Sequence, residues 1–325
     1  MLEYDPMPPL LGSGNEAVVY FTQRDLLGAK VSPVQALWRT APVLKLLRRQ
    51  QANGSWRYPG GNHSIRSAQN YDQLETYRLL GYLVEMYGMD KRHPAMRNAA
   101  EFMFGCQTDD GDFRGIYGNQ YTPNYSAGIM ELLIKAGYAR DPRIKRGFEW
   151  LLAIRQDDGG WAIPLRTVGM KLDAIAMERK PFEPDRAKPF SHLATGCVLR
   201  AFAAHPGYRR TNDALKSGEL LAGRLFARDA YPDRGTPEYW TRFTFPFWFT
   251  DLASALDSLS LLGFAPDDAR IRRALGWFAD SQQKDGTWNL KLLKGKHMEV
   301  ALWMHLAICR VFGRFHAADK FPRSG

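Results

Sequence analysis

One short phrase recurs four times in 325 residues: QANGSW at 51–56, QTDDGDF at 107–113, QDDGGW at 156–161 and QKDGTW at 283–288. Upstream of each copy runs an amphipathic pattern, usually opened by proline where a first helical turn has no use for its N–H. In the copy before Gln156, Ile144, Phe148, Leu151 and Leu152 make one apolar face and arginine and lysine cover the other. Downstream comes a connector, then a second kind of helix, apolar all round and rich in Ala, Gly and Ser, as in NYSAGIMELLIKAGY and SHLATGCVLRAFAAHPGY. Helices of that type are buried on most sides. The repeat is therefore buried helix, glycine turn, amphipathic helix, phrase, connector, with a period of about 50 residues.

A degraded copy fits at 228–240 (RDAYPDRGTPEYW), which brings the expectation to six buried helices and at least five outer ones. A closed arrangement follows: buried helices in an inner ring, all parallel, with amphipathic helices antiparallel around them. Closure hides the end surfaces that an open superhelix, the alternative, would expose. In each phrase the glycine turns the chain, the glutamine bonds free groups at the helix end, and the tryptophan buries a large flat surface against neighbouring helices. The phrase thus encodes stacking. One domain is expected over 1–325, with an N-terminal extension at 1–15, a long connector at 162–190 that would make a lid, and a tail at 316–325.

The order of outer helix, Gln-x-x-Asp/Asn-Gly-x-Trp and inner helix resembles the repeat of the terpenoid cyclase and protein prenyltransferase superfamily. The resemblance runs from about Glu16 to Phe315 and implies an all-α fold, an α/α toroid of about six helical hairpins. Two chemical signatures of that superfamily are missing. Squalene–hopene-type cyclases protonate an alkene with an Asp-x-Asp-Asp cluster. Here Asp109–Asp110 and Asp157–Asp158 lie inside the phrase, and Asp267–Asp268 opens an outer helix. Prenyltransferases bind zinc through Asp-x-Cys and a distant histidine, and no Asp-x-Cys exists. His192 and Cys197 are five residues apart on one helix, a poor spacing for a shared face. No metal and no cofactor is called for.

In a closed ring the inner-helix N-termini share one opening, where their dipoles and free N–H groups favour an anion. Arg57, Arg66, Arg166 and Arg242 on the connectors, with Tyr71, Tyr121 and Tyr125, are the candidates to hold a headgroup such as a diphosphate. The stretch YWTRFTFPFWFT (239–250) is the most aromatic in the chain. Trp240, Phe247 and Trp248 are its candidates for lining an apolar tunnel, with core packing the plainer alternative. Asp72, Asp251, His192, His297 and Glu299 stand at inner-helix starts and are the candidate acids and bases; helix capping accounts for each acid taken alone. The implied activity is binding, and transformation, of an apolar isoprenoid-like ligand. A non-catalytic scaffold and a polysaccharide-lyase-type enzyme are the other readings.

The net charge of +10 is spread along the chain without a basic tail or a nucleic-acid-binding signature, so no nucleic-acid partner is expected. Three separated cysteines make no disulfide framework. The acidic, proline-bearing N-terminus is unlike a signal peptide, and no stretch reaches the roughly 20 apolar residues of a membrane span. A cytoplasmic location follows as the expectation, with peripheral membrane contact allowed and the oligomeric state left open.

Overall fold

The computed structural model describes residues 2–60, 69–170, 180–293 and 298–316. The inner helices are α2 (Glu16–Phe21, extended by a π turn to Leu26), α4 (Tyr71–Tyr87), α6 (Pro123–Leu133), α9 (His192–Ala204), α11 (Leu252–Leu261) and α13 (Met298–Phe315). Each packs on the next, and α13 returns to α2. The ring therefore closes, and the fold is the expected all-α toroid. Outside it lie α3 (Ala41–Leu47), α5 (Pro94–Phe104), α7 (Pro142–Ala153), α10 (Asn212–Ala222) and α12 (Ala269–Asp280). Short α1 (Met7–Leu11) packs on both α2 and α13, so the stretch expected as an extension fills the sixth outer seat.

Local chemistry sets these elements. Asp141 and Asp268 cap α7 and α12 by accepting from the N–H groups of Arg143 and Arg270 in the first turn. The small residues of the inner helices are needed because neighbours come close. A β-carbon at Gly128 of α6 would lie 2.2 Å from the Tyr77 hydroxyl, and one at Gly196 of α9 would lie 2.4 Å from Thr250. Ion pairs also join the ring. Arg310 of α13 meets Asp25 beyond α2 at 2.6 Å, and Arg314 reaches Asp257 of α11.

The recurring phrase is a three-way staple. Its indole N–H donates to its own outer helix: Trp56 to Leu46 O, Trp161 to Leu151 O, Trp288 to Phe278 O, each at 2.7 or 2.8 Å. Its backbone N–H meets the following inner helix, through Thr76 for Trp56, Ser126 for Phe113, Thr195 for Trp161 and His305 for Trp288. Its glutamine amide donates to the first turn of the next outer helix, Gln50 to Ala95 O and Gln107 to Arg143 O, or just ahead of it, Gln282 to Tyr4 O before α1.

The bonding glutamine in the first and last copies is thus Gln50 and Gln282, one residue ahead of the phrase-opening Gln51 and Gln283. Bridges pair Gln50 with Trp56 and Gln282 with Trp288, in the register of Gln107 with Phe113. In the third copy Gln156 stands one residue closer to its positive-φ glycine, Gly159, and turns instead to Asp185 O and Lys188 O of the long connector. That connector contains a short helix, α8 (Pro164–Thr167), and its described end returns through Lys180 and Phe182, both bonded to Gln120. Its middle, 171–179, lies outside the described residues, so the expected lid has no structural description.

The Tyr4–Gln282 junction yields a direct test. Gln282→Ala removes the side chain that joins the N-terminal stretch to the last copy. It should cost about 1–3 kcal/mol in urea unfolding and expose residues near Tyr4 to limited proteolysis. Gln283→Ala, next door and exposed, should change stability by less than about 0.5 kcal/mol. Equal effects would remove the staple from the account.

Candidate hub site

The segment from Thr244 to Thr250 crosses the hub before α11 begins. Phe245 stacks on Trp303 of α13 at 5.7 Å, with ring planes 1° apart. A β-carbon at Gly81 of α4 would lie 3.5 Å from Pro246. Trp248 stacks on Tyr77 of α4 at 4.7 Å, and Thr250 donates to Leu193 O of α9 at 2.7 Å. One aromatic strip therefore bridges three inner helices. Phe245 is buried, while Phe247, Trp248 and Phe249 are only partly buried. Tyr125 of α6, with Tyr117 at 5.4 Å and Tyr77 at 6.0 Å, continues the aromatic surface.

Beneath the strip, buried Glu131 and Arg200 belong to a charge network that reaches out to exposed Lys135. Arg200 of α9 meets Glu131 of α6 at 2.8 Å, and Lys135 meets Glu131 at 2.7 Å and Glu85 of α4 at 2.6 Å. Arg200 also donates to Phe249 O at 3.3 Å, which ties the strip to the hub wall. Burial pushes the Glu131 carboxyl up, but Lys135 and Arg200 outweigh it and hold it below its ordinary value. The second terminal nitrogen of Arg200 is buried without a hydrogen-bond partner among the described residues.

Asp251 follows the strip directly. One of its carboxylate oxygens accepts from Ser254 N at 2.8 Å, closing a capping box on α11. The other is buried and makes no well-formed hydrogen bond among the described residues, although the backbone N–H of Thr244 is close enough to act on the carboxyl. Burial pushes its pKa up to about 7, against the opposing bonds from Ser254 and the charge of Arg200. A carboxyl that keeps its proton near neutrality is suited to acid chemistry.

The other candidates scatter. Asp72 accepts from Tyr58 N at 2.8 Å and from Gln51, so it ties a connector to α4. Exposed Glu299 accepts from Asn15, which caps α2. His192 is buried, 3.2 Å from Asp229 and against Trp240; burial lowers its pKa despite the pull of Asp229. Asp229 itself accepts from Ser191 and from Leu193 N at the start of α9. Trp240 is fully buried and donates to Ala227 O, which makes it the indole of the degraded fifth copy.

Tyr121 faces an outer recess beside Trp150 and donates to Glu183 at 3.0 Å. Arg166 pairs with Asp233 at 2.6 Å. Arg57 is exposed, as is Arg242, whose guanidinium lies 5.0 Å over the Tyr239 ring. Tyr71 packs on Tyr58 at 4.8 Å. Arg66 and His297 lie outside the described residues. The hub thus gathers Tyr125, Phe247, Trp248 and Asp251 from the candidates, and adds Tyr77, Tyr117, Glu131, Lys135 and Arg200. The last three carried a signal: Glu131 and Lys135 stand four apart in an otherwise apolar helix, and Arg200 is the one full charge within α9.

With this geometry in hand, comparison with known proteins is informative. Residues 72–169 match the squalene-hopene cyclase C-terminal domain. A squalene–hopene cyclase of Bradyrhizobium diazoefficiens is 29% identical over 154 residues, 46% of this chain and 21% of that enzyme. A probable squalene–hopene cyclase of Sinorhizobium fredii is 24% identical over 183 residues, 53% of this chain and 27% of that protein. Part of the chain is thus similar to squalene–hopene cyclases. It spans only about a quarter of the length of these relatives. Among solved structures, a polysaccharide lyase matches with a TM-score of 0.46 at 12% identity, covering 87% of each chain. The type II terpene cyclase MstE from Scytonema, solved with geranylgeranyl dihydroxybenzoate, matches at 0.39 and 13% identity, covering 87% of this chain and 84% of that one. At these scores neither likeness bears on chemistry. Among the described residues no helix is long and apolar enough to cross a membrane, and no group of three His, Cys, Asp or Glu is placed to hold a metal.

The Asp251 environment sets a pH dependence. The folded protein holds this proton to higher pH than the unfolded chain, so ionising it costs stability as pH rises from about 4 to above about 7. Asp251→Asn keeps the cap oxygen and cannot ionise. The stability of the wild type relative to this variant should therefore fall across that window in urea titrations. A difference that does not vary with pH would mean that Asp251 titrates like a surface carboxyl.

Proposed function

We propose that this chain binds an apolar, isoprenoid-like molecule with an anionic headgroup against the aromatic strip of the hub, and that Asp251 is the proton donor for its transformation. The observation that carries the reading is the partly buried set Phe247, Trp248, Phe249 and Tyr125, held rigidly on three inner helices rather than on a free loop. Aromatic faces shelter apolar chains and also stabilise carbocationic character by cation–π attraction. The relationship to squalene–hopene cyclases supports an apolar substrate of this class. Asp251 supports acid chemistry because it is buried, follows the strip in sequence, and has one oxygen without a well-formed hydrogen bond among the described residues.

The scaffold reading keeps one specific support. Asp72, Glu299 and Trp240 are engaged in holding the fold. It differs from the ligand reading in a measurable way. Native mass spectrometry of protein purified from its host should show a retained apolar molecule, and titration with geranylgeraniol should give saturable binding. Phe247→Ala and Trp248→Ala should each weaken that binding about tenfold, as removal of about 1.4 kcal/mol of aromatic contact would. Saturable binding that both variants leave intact would move the ligand off the strip. Absence of any binding would favour the scaffold.

A further inference from the structure

Arg234 is the guanidinium at the hub that no carboxylate among the described residues neutralises. Among the described residues it makes no ion pair, and its guanidinium carbon sits 3.3 Å from the centroid of the Phe249 ring. It acts electrostatically on Tyr117, Tyr125 and Tyr239, the tyrosines around the same aromatic surface. The carboxylates nearby are committed elsewhere. Asp233 takes Arg166 at 2.6 Å, Asp229 takes Ser191 and Leu193 N, and Glu238 is exposed and bonded toward Thr236. Burial lowers the Arg234 pKa, opposed by those three tyrosines and the Cys197 thiol.

The backbone adds to this. Arg234 has φ of 48°, in the left-handed region that favours glycine or asparagine. The turn that imposes it is closed by Asp229 N to Gly235 O at 2.8 Å and by Tyr231 N to Asp229. A strained arginine, half-withdrawn from water and without a counter-charge among the described residues, is costly unless an anion meets it. A planar guanidinium suits a carboxylate or a phosphate, which it grips with two parallel bonds.

We propose that Arg234 is the headgroup receptor of this protein, binding an oxyanion, carboxylate or diphosphate, whose apolar tail lies on the strip from Phe247 to Phe249. The proposal rests on the ligand reading above for the tail, and on Arg234 itself for the anion. It replaces Arg166, which is already paired, and exposed Arg242 as the principal contact.

Isothermal titration calorimetry of the full chain tests it with four probes: farnesyl diphosphate, farnesoate, farnesol and inorganic pyrophosphate. Arg234→Gln should weaken farnesyl diphosphate or farnesoate at least tenfold and leave farnesol within twofold. Which of the two anions binds more tightly identifies the head. Arg234→Lys should retain part of the affinity, and Arg210→Gln, an exposed charge elsewhere, should change nothing. Should Arg234→Gln fail to fold, Arg234→Lys carries the test, with a loss of threefold or more expected for the anionic probes alone. Equal affinity of wild type and both Arg234 variants for the anionic prenyl probes would overturn the proposal while leaving the tail site in place. If no prenyl probe binds the wild type, the ligand reading falls, and pyrophosphate decides Arg234 alone. Binding lost in Arg234→Gln sustains the anion site; binding absent or unaltered overturns it.

Discussion

The structure depends on a side-chain amide reaching across a gap between repeats. Gln50 and Gln107 donate to a backbone carbonyl in the first turn of the next outer helix, and Gln282 to one just ahead of α1. The indole of the same phrase holds the preceding outer helix, and its backbone N–H holds the following inner helix. In the first and last copies one phrase therefore fixes three elements at once. A unit that cannot bury its own apolar face gains a defined neighbour on either side. Because Gln282 selects Tyr4, the same rule that stacks repeats also closes the ring.

Closure has consequences at the centre. Six inner helices leave a hub that side chains must fill or line, and here the chain sends its most aromatic segment through it. Phe245, Pro246 and Trp248 anchor that segment on α13 and α4, and Thr250 anchors it on α9. Arg200 holds its far end through Phe249 O while pairing with Glu131. Breaking such a buried pair typically costs about 3–5 kcal/mol, so the network specifies the geometry of the strip even where it adds little net stability. The partly exposed faces of Phe247, Trp248 and Phe249 are thus presented by a rigid frame. Asp251 and Arg234 sit at opposite chemical extremes of it, one carboxyl disposed to keep its proton and one arginine without an ion pair among the described residues.

Much of the fold was legible because the repeat is a stacking code. The glycine turns, the apolar inner helices and the number of units all follow from periodicity, and so does the place of the aromatic segment before α11. The register of the glutamine did not follow. Gln51 and Gln283 open the phrase as written, but the bonds belong to Gln50 and Gln282, since pairing with the tryptophan counts from the bridge and not from the most similar letters. The site was less legible. Asp72 and Glu299 stand at helix starts as acids do, and local bonds account for both. Trp240 lies in the aromatic stretch but serves the fifth, degraded staple. Arg234 carried no sequence signal, because what distinguishes it is a left-handed backbone and the lack of an ion pair among the described residues, and neither is written in spacing.

A crystal structure of the full chain grown with farnesyl diphosphate tests the central claim most directly. It should show a closed ring in which Gln282 bonds to Tyr4, the prenyl chain against Phe247, Trp248 and Phe249, and the diphosphate on Arg234. An open ring, or a ligand seated away from a hub sealed by its own aromatic side chains, would contradict it.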